Sequence, residues 1–211
     1  MTARLGVLGG MFDPVHNGHI NAACYAVEQL SLDGIKMIPC SIPNHREASI
    51  ASAQHRLQML YLATAEYPTI SIDSIELDRA GTSYTVDTLL TMRQSGEADQ
   101  LVLVLGLDSF NSIIQWHDWT QILKLCHLAV LSRPGMVVTE AVADQTQLSA
   151  REVKSASELF ARPTGNILLA HDFNHDISST AVRARLQSNN DGAQHVDHKV
   201  LQYIAENELY S

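Results

Sequence analysis

Two histidines, spaced as His16-Asn17-Gly18-His19, stand between a glycine-rich turn and an apolar-periodic segment. Just before them runs Gly9-Gly10-Met11-Phe12-Asp13-Pro14, itself preceded by the short apolar stretch ending at Leu8. Strand, glycine turn and helix start together make a layout that gathers phosphate. Glycine lets the backbone approach an anion closely, and the first helical turn offers unpaired N–H groups. Imidazoles three residues apart on a helix share a face, so both rings would add donors where negative charge sits. The stretch is neither a P-loop nor a dinucleotide fingerprint, because the chain contains no G-x-x-x-x-G-K-[ST] and no G-x-G-x-x-G. A zinc site would need more ligands in closed geometry, and there is no H-E-x-x-H and no paired cysteine.

A second set lies far downstream, in Ile177-Ser178-Ser179-Thr180-Ala181-Val182-Arg183. Its hydroxyls and its arginine fall on the first turn of a helix. Alone, such a stretch serves equally well as an N-cap with an exposed arginine. Beside a phosphate site, Arg183 offers a planar, always-charged fork of donors. Two weaker sets lie between. Glu76-Leu77-Asp78-Arg79 precedes Ser83-Tyr84-Thr85, a turn followed by a capped helix. Gly106-Leu107-Asp108 precedes Trp116-His117-Asp118-Trp119. An aromatic ring near a helix start can stack on a flat heteroaromatic ligand, and it can equally be core.

The elements that must position these residues follow from periodicity. Strands are expected at Arg4–Leu8, Ile35–Pro39, Thr69–Leu77, Leu101–Leu105, His127–Leu131 and Asn166–Ala170. Helices are expected from His19 to Leu30, after Ser52, from Val86 to Arg93, over Thr120–Leu125, from Ile177 to about Leu186, and over Val196–Glu206. The strand at Thr69–Leu77 alternates imperfectly, which suggests a bulge or bend. Met136–Pro163 carries no clear pattern and is expected to hold one or two irregular helices. The alternation predicts an α/β fold with a doubly wound, mainly parallel sheet and helices on both faces. The chain 1–211 reads as a single domain, on which a C-terminal helical part, about 177–211, packs. Ligands in such sheets bind at the carboxyl ends of the strands, where strand order reverses. Gly9–His19, Pro43–Arg46, Gly106–Asp108 and Arg133 each follow an expected strand.

Composition narrows the function classes. With 45% hydrophobic and 18% charged residues the chain can build a real core. A net charge of −9 is poorly suited to coating nucleic acid, though it leaves room for a locally positive pocket. Cys24, Cys40 and Cys126 are widely spaced in apolar contexts and read as buried free thiols in a reducing cytoplasm. No signal-peptide pattern and no apolar run of bilayer length is evident, so no membrane association is expected.

Taken together, Gly9-Gly10-x-Phe12-Asp13-Pro14, His16-x-Gly18-His19 and Ile177-Ser178-Ser179-Thr180-x-x-Arg183 resemble the nucleotidyltransferase superfamily, and within it the bacterial nicotinate-nucleotide adenylyltransferases. The likeness extends from Gly9 to the last helix. It implies a Rossmann-like fold and transfer of the adenylyl group of ATP to nicotinate mononucleotide, in NAD biosynthesis. It implies catalytic roles for His16, His19 and Arg183. ATP would lie against Gly9, Gly10, Met11, Phe12, Gly18, His19, Ser178, Ser179, Thr180 and Arg183, with adenine and ribose near Gly106, Asp108 and Arg133. The mononucleotide would meet His45, Arg46, Thr85, Trp116 and His117, with Trp116 facing ligand and Trp119 in the core. Mg²⁺ would ride on the ATP phosphates with no dedicated protein site, and Asp13 is a candidate outer contact to it. Two departures stand out: Met11 occupies a position where the family has Ser or Thr, and Pro43-Asn44-His45-Arg46 replaces Pro-Pro-His-Lys. Nicotinamide mononucleotide or another phosphate monoester is the alternative acceptor. A non-catalytic nucleotide-binding module is the alternative class. Monomer and homodimer are both compatible with the sequence.

Overall fold

The most apolar runs of the chain become its central strands. A computed structural model describes residues 2–42, 49–79, 81–132, 135–173, 177–188 and 192–211. Among these, β1 (Arg4–Gly10), β2 (Gly34–Pro39), β3 (Ile70–Ile72), β4 (Gln100–Gly106), β5 (His127–Leu131), β6 (Glu152–Val153) and β7 (Ile167–Ala170) form one sheet. Its order is β3-β2-β1-β4-β5-β7-β6, and every neighbouring pair is parallel. Strand order therefore reverses between β1 and β4.

Burial on both faces explains the composition of the central strands. Along β4, Val102 and Val104 enter one core while Leu101, Leu103 and Leu105 enter the other. β5 splits in the same way, with Ala129 and Leu131 on the first face and Leu128 and Val130 on the second. Each of these Val and Leu side chains, fully removed from water, contributes about 1.5–3 kcal/mol before entropy is charged against it.

On the first face, α1 (Asn17–Leu30) and α2 (Ala53–Thr64) bury Ala23, Ala26 and Leu30, and Met59 and Leu60. The second face takes α3 (Ile75–Arg79), α4 (Thr85–Ser95), α5 (Leu107–Phe110), α6 (Trp119–Leu125), α7 (Glu140–Gln145) and α8 (Leu148–Arg151). The chain then returns to the first face through α9 (Ala156–Leu159), α10 (Ser179–Gln187) and α11 (His198–Glu206). Val182, Val200, Ile204 and Tyr210 belong to the same cluster as α1 and α2. Among the described residues, no helix is long and apolar enough to cross a membrane.

Helix starts follow their caps. Ser52 Oγ accepts from the His55 N–H at 3.3 Å, and Ser178 Oγ from the Ala181 N–H at 3.2 Å. α4 closes at Gly96, whose φ of 68° is the left-handed conformation glycine adopts without strain.

The expected strand over Thr69–Leu77 is corrected. β3 stops at Ile72 and α3 begins at Ile75. Asp73 is the cause: its Oδ1 accepts from the Ile75 N–H at 3.1 Å, and Lys36 Nζ donates to its Oδ2 at 2.9 Å. That local side-chain bond turns the backbone out of the ladder. A short edge strand, β6, lies in the region expected to hold only irregular helices; it pairs with β7 through Glu152 and Val153. The cysteines are free thiols, but only Cys126 is buried; Cys24 and Cys40 are half-buried.

Candidate active site

A cleft of ≈ 670 Å³ opens at the carboxyl ends of β1 and β4, where strand order reverses. The described residues that the resemblance assigns to ATP and the mononucleotide all line it. Gly9, Gly10, Met11, Phe12, His16, Gly18 and His19 come from the first loop and the start of α1. Ser178, Ser179, Thr180 and Arg183 come from the start of α10, Gly106 from the end of β4 and Asp108 from α5. Thr85, Trp116 and His117 come from the second face. His45, Arg46 and Arg133 lie outside the described residues, as do Pro43 and Asn44.

The first loop is set by three features. Phe12 takes φ 50°, is buried, and packs edge-on against the His19 ring at 4.9 Å. His16, in extended conformation, is the N-cap of α1, and its ring stacks on His19 with centroids 3.7 Å apart. A Cβ on Gly18 would meet His16 Nδ1 at 3.0 Å and Ile177 Cβ at 3.3 Å. The glycine of the motif thus makes room for the stacked histidine and for the second motif at once. Gly106 has a similar cause, since a Cβ there would meet Asp108 Oδ1 at 2.6 Å.

The tautomer of His19 follows from one bond. Its Nδ1 accepts the His16 backbone N–H at 3.2 Å, so the neutral ring carries its proton on Nε2. A donor results, oriented by the backbone turn that it caps.

Two distant segments are tied to the first loop. Ser179 Oγ donates to the Pro14 carbonyl at 3.1 Å, and Arg183 Nη1 to the Asp13 carbonyl at 2.6 Å. Arg56, which is fully buried, donates from Nη1 to the Met11 carbonyl at 2.8 Å. Burial lowers the Arg56 pKa, and the Asp13 carboxylate works in the opposite direction.

Asp13 is fixed from three directions within the fold. Its Oδ2 accepts from the Ile50 N–H at 2.7 Å, and its Oδ1 from the Ala51 N–H at 3.1 Å and the Tyr210 hydroxyl at 2.6 Å. With three donors on a buried carboxylate, it acts as a structural junction. Among the described residues no group of three or more His, Cys, Asp and Glu side chains is arranged to hold a metal ion.

The far end of the cleft is built by packing. Ser83 Oγ accepts from the Ser41 N–H at 3.0 Å, and the Ser83 N–H donates to the Ile42 carbonyl at 3.0 Å, which aims the N-terminus of α4 at the cleft. The His117 ring lies 4.4 Å from that of Tyr84. Trp116 donates from Nε1 to Ser112 Oγ at 3.2 Å. Trp116 and Trp119 are both half-buried against the second core, but only Trp116 lines the cleft. Glu76 is buried in the cleft wall, accepts from Thr88 Oγ1 at 2.9 Å, and has its pKa raised by desolvation.

Sequence reasoning assigned no role to Arg56 or Tyr210. Arg56 had a signal: it shares a helical face with Met59, Leu60 and Ala63, where a lone arginine must find a buried acceptor. Tyr210 follows the last helix and belongs to no periodic pattern.

A parallel sheet with its cleft at the reversal point, a histidine-bearing glycine loop and a second helix start facing it define a nucleotidyltransferase. A family model described as cytidylyltransferase-like matches residues 7–185. The chain belongs to that family, and within it to the nicotinate-nucleotide adenylyltransferases. It is 38% identical over 211 residues to a Cellvibrio japonicus protein named "Probable nicotinate-nucleotide adenylyltransferase", covering 100% of both chains. A Pseudomonas putida protein of the same name is 39% identical over 209 residues, covering 98% of this chain and 90% of that one. The fold is also that of Plasmodium falciparum nicotinic acid mononucleotide adenylyltransferase complexed with NaAD, at TM-score 0.76 and 17% identity over 99% of this chain and 97% of that one.

Proposed function

We propose that this chain transfers the adenylyl group of ATP to nicotinate mononucleotide, releasing pyrophosphate and forming nicotinate adenine dinucleotide, as a step in NAD biosynthesis. The observation that carries this is the meeting of His16-x-Gly18-His19 and Ser178–Arg183 in one cleft, tied together by the Ser179 and Arg183 bonds to the first loop.

A phosphate-monoester oxygen of the mononucleotide attacks the α-phosphorus of ATP. A bond forms there as the bond to the bridging oxygen breaks, and the electron pair leaves with pyrophosphate. The nucleophile is already anionic at neutral pH, so no general base is needed. Alignment and charge stabilisation supply the catalysis. His19 donates from Nε2 to the α-phosphate as charge builds, and His16 orients the phosphates beside it. Ser179, Thr180 and Arg183 hold the β- and γ-phosphates and steady the leaving group. The bond from Arg183 Nη1 to the Asp13 carbonyl supports this role, because it ties the guanidinium to the first loop.

Mg²⁺ fits as an ion carried in on ATP. The cleft supplies hydroxyls, imidazoles and the carboxylates of Asp13, Glu76 and Asp108, and Asp13 already accepts from three donors of the protein. When bound, the ion neutralises phosphate charge. Adenine and ribose lie near Gly106 and Asp108, and the pyridine ring lies near Thr85, Trp116 and His117. The helix N-terminus at Thr85 favours a ring carboxylate over an amide. Free cysteines suit a reducing cytoplasm.

The test is pyrophosphate release from ATP and Mg²⁺ with nicotinate mononucleotide, nicotinamide mononucleotide and phosphopantetheine in parallel. The fastest release is expected with the acid mononucleotide. Preference for the amide would overturn the acceptor assignment. No release with any acceptor would favour a nucleotide-binding module without catalysis.

A further inference from the structure

Tyr210 follows α11, far in sequence from both motifs, yet its side chain is 4% exposed and its hydroxyl donates to Asp13 Oδ1 at 2.6 Å. The residue takes φ 63°, a conformation that costs a non-glycine residue and persists when its surroundings fix it. Burial and the adjoining carboxylate raise the pKa of its hydroxyl, which therefore remains a donor.

Asp13 passes that contact on to the cleft. Its carboxylate holds the Ile50 and Ala51 N–H groups ahead of α2, and its carbonyl holds Arg183. On one side Phe12 packs against His19, and on the other the Pro14 carbonyl holds Ser179. A small displacement of Asp13 therefore moves the histidine and the phosphate-binding groups together. We propose that Tyr210 is a positioning residue for adenylyl transfer, acting through Asp13 to fix the first loop against the start of α10. This rests on the activity proposed above.

The ring of Tyr210 also fills the first core, so packing and hydroxyl must be separated. Tyr210→Phe keeps the ring and removes only the hydroxyl. Tyr203→Phe is the control: Tyr203 lies on α11, and its hydroxyl pairs with His55 Nδ1 at 2.8 Å, outside the cleft. Wild-type turnover is measured first; none would sink the activity and this inference with it. Given that activity, Tyr210→Phe is expected to lower kcat about tenfold well below its melting temperature, as loosened alignment does. Tyr203→Phe should lower only the melting temperature. Asp13→Asn, which weakens the same bond from the other side, should lower kcat as well, and adding Tyr210→Phe to it should cause no further loss. Wild-type kcat in Tyr210→Phe would overturn the proposal while leaving the activity intact. So would independent, multiplicative losses in the double variant. If Tyr210→Phe fails to fold, Asp13→Asn decides: an unchanged kcat there refutes the positioning role.

Discussion

The two ends of the cleft are built by different means. At the phosphate end, three side chains are held by directional bonds: His19 by the His16 N–H, Ser179 by the Pro14 carbonyl, Arg183 by the Asp13 carbonyl. At the acceptor end, His117 and Tyr84 are held by ring packing and Trp116 by the second core with one bond to Ser112, while a helix N-terminus offers backbone N–H groups. A phosphate chain needs fixed donors at fixed spacing, because charge develops there in the transition state. A flat ring needs a slot and a few backbone groups, which many sequences can supply. The first end should set turnover, and the second should set acceptor affinity.

The comparison breaks most readily at Arg183. Replacing it with Ala should cost ~10²–10³ in kcat, with a smaller change in the KM for the mononucleotide, checked by steady-state pyrophosphate release. A loss confined to the acceptor KM would erase the distinction between the two ends. Next is a pair of glycines. Gly18→Ala pushes the His16 ring by steric contact, so kcat should fall by about tenfold to a hundredfold as the stacked pair is displaced. A Cβ on Gly9 meets nothing within 4 Å, so Gly9→Ala should melt like the wild type and weaken only ATP binding, measured by calorimetry. At the other end, Trp116→Ala should raise the KM for the mononucleotide by roughly tenfold, the scale of one lost stacking contact, and leave the KM for ATP nearly unchanged.

His127 tests stability apart from either end. Its ring is fully buried and accepts from the Asn166 N–H at 3.3 Å, and burial pushes its pKa down to about 4. The unfolded chain takes up that proton nearer pH 6.5, so stability is full above that value and declines as pH falls toward 4. By pH 5 the decline amounts to about 2 kcal/mol, and His127→Gln should lack it in denaturant melts run across pH. Turnover at neutral pH should not change.

The same contrast explains what the sequence could reveal. The parallel sheet was legible because strands buried on both faces must be continuously apolar, as Leu101–Leu105 and Leu128–Leu131 are. The phosphate end was legible because glycine, histidine and arginine at those spacings have a chemical reason. Asp13 was legible as a special residue but not as a junction, since its donors come from residues 50, 51 and 210. Thr69–Leu77 misled because alternation over Ile70, Ile72 and Ile75 looks like a strand until Asp73 claims the Ile75 N–H. Trp116 and Trp119 share composition and burial, and only the tertiary position of the cleft separates them.

We propose that a histidine held by its own helix cap stabilises charge at the α-phosphate. It is tested most directly by comparing the wild type with His19→Ala in ATP, Mg²⁺ and nicotinate mononucleotide, with dinucleotide and pyrophosphate quantified together. Equal amounts of both products are expected from the wild type, and a loss of ~10²–10³ in turnover from the variant with ATP affinity little altered. Near-normal turnover by His19→Ala at unchanged ATP affinity would contradict it.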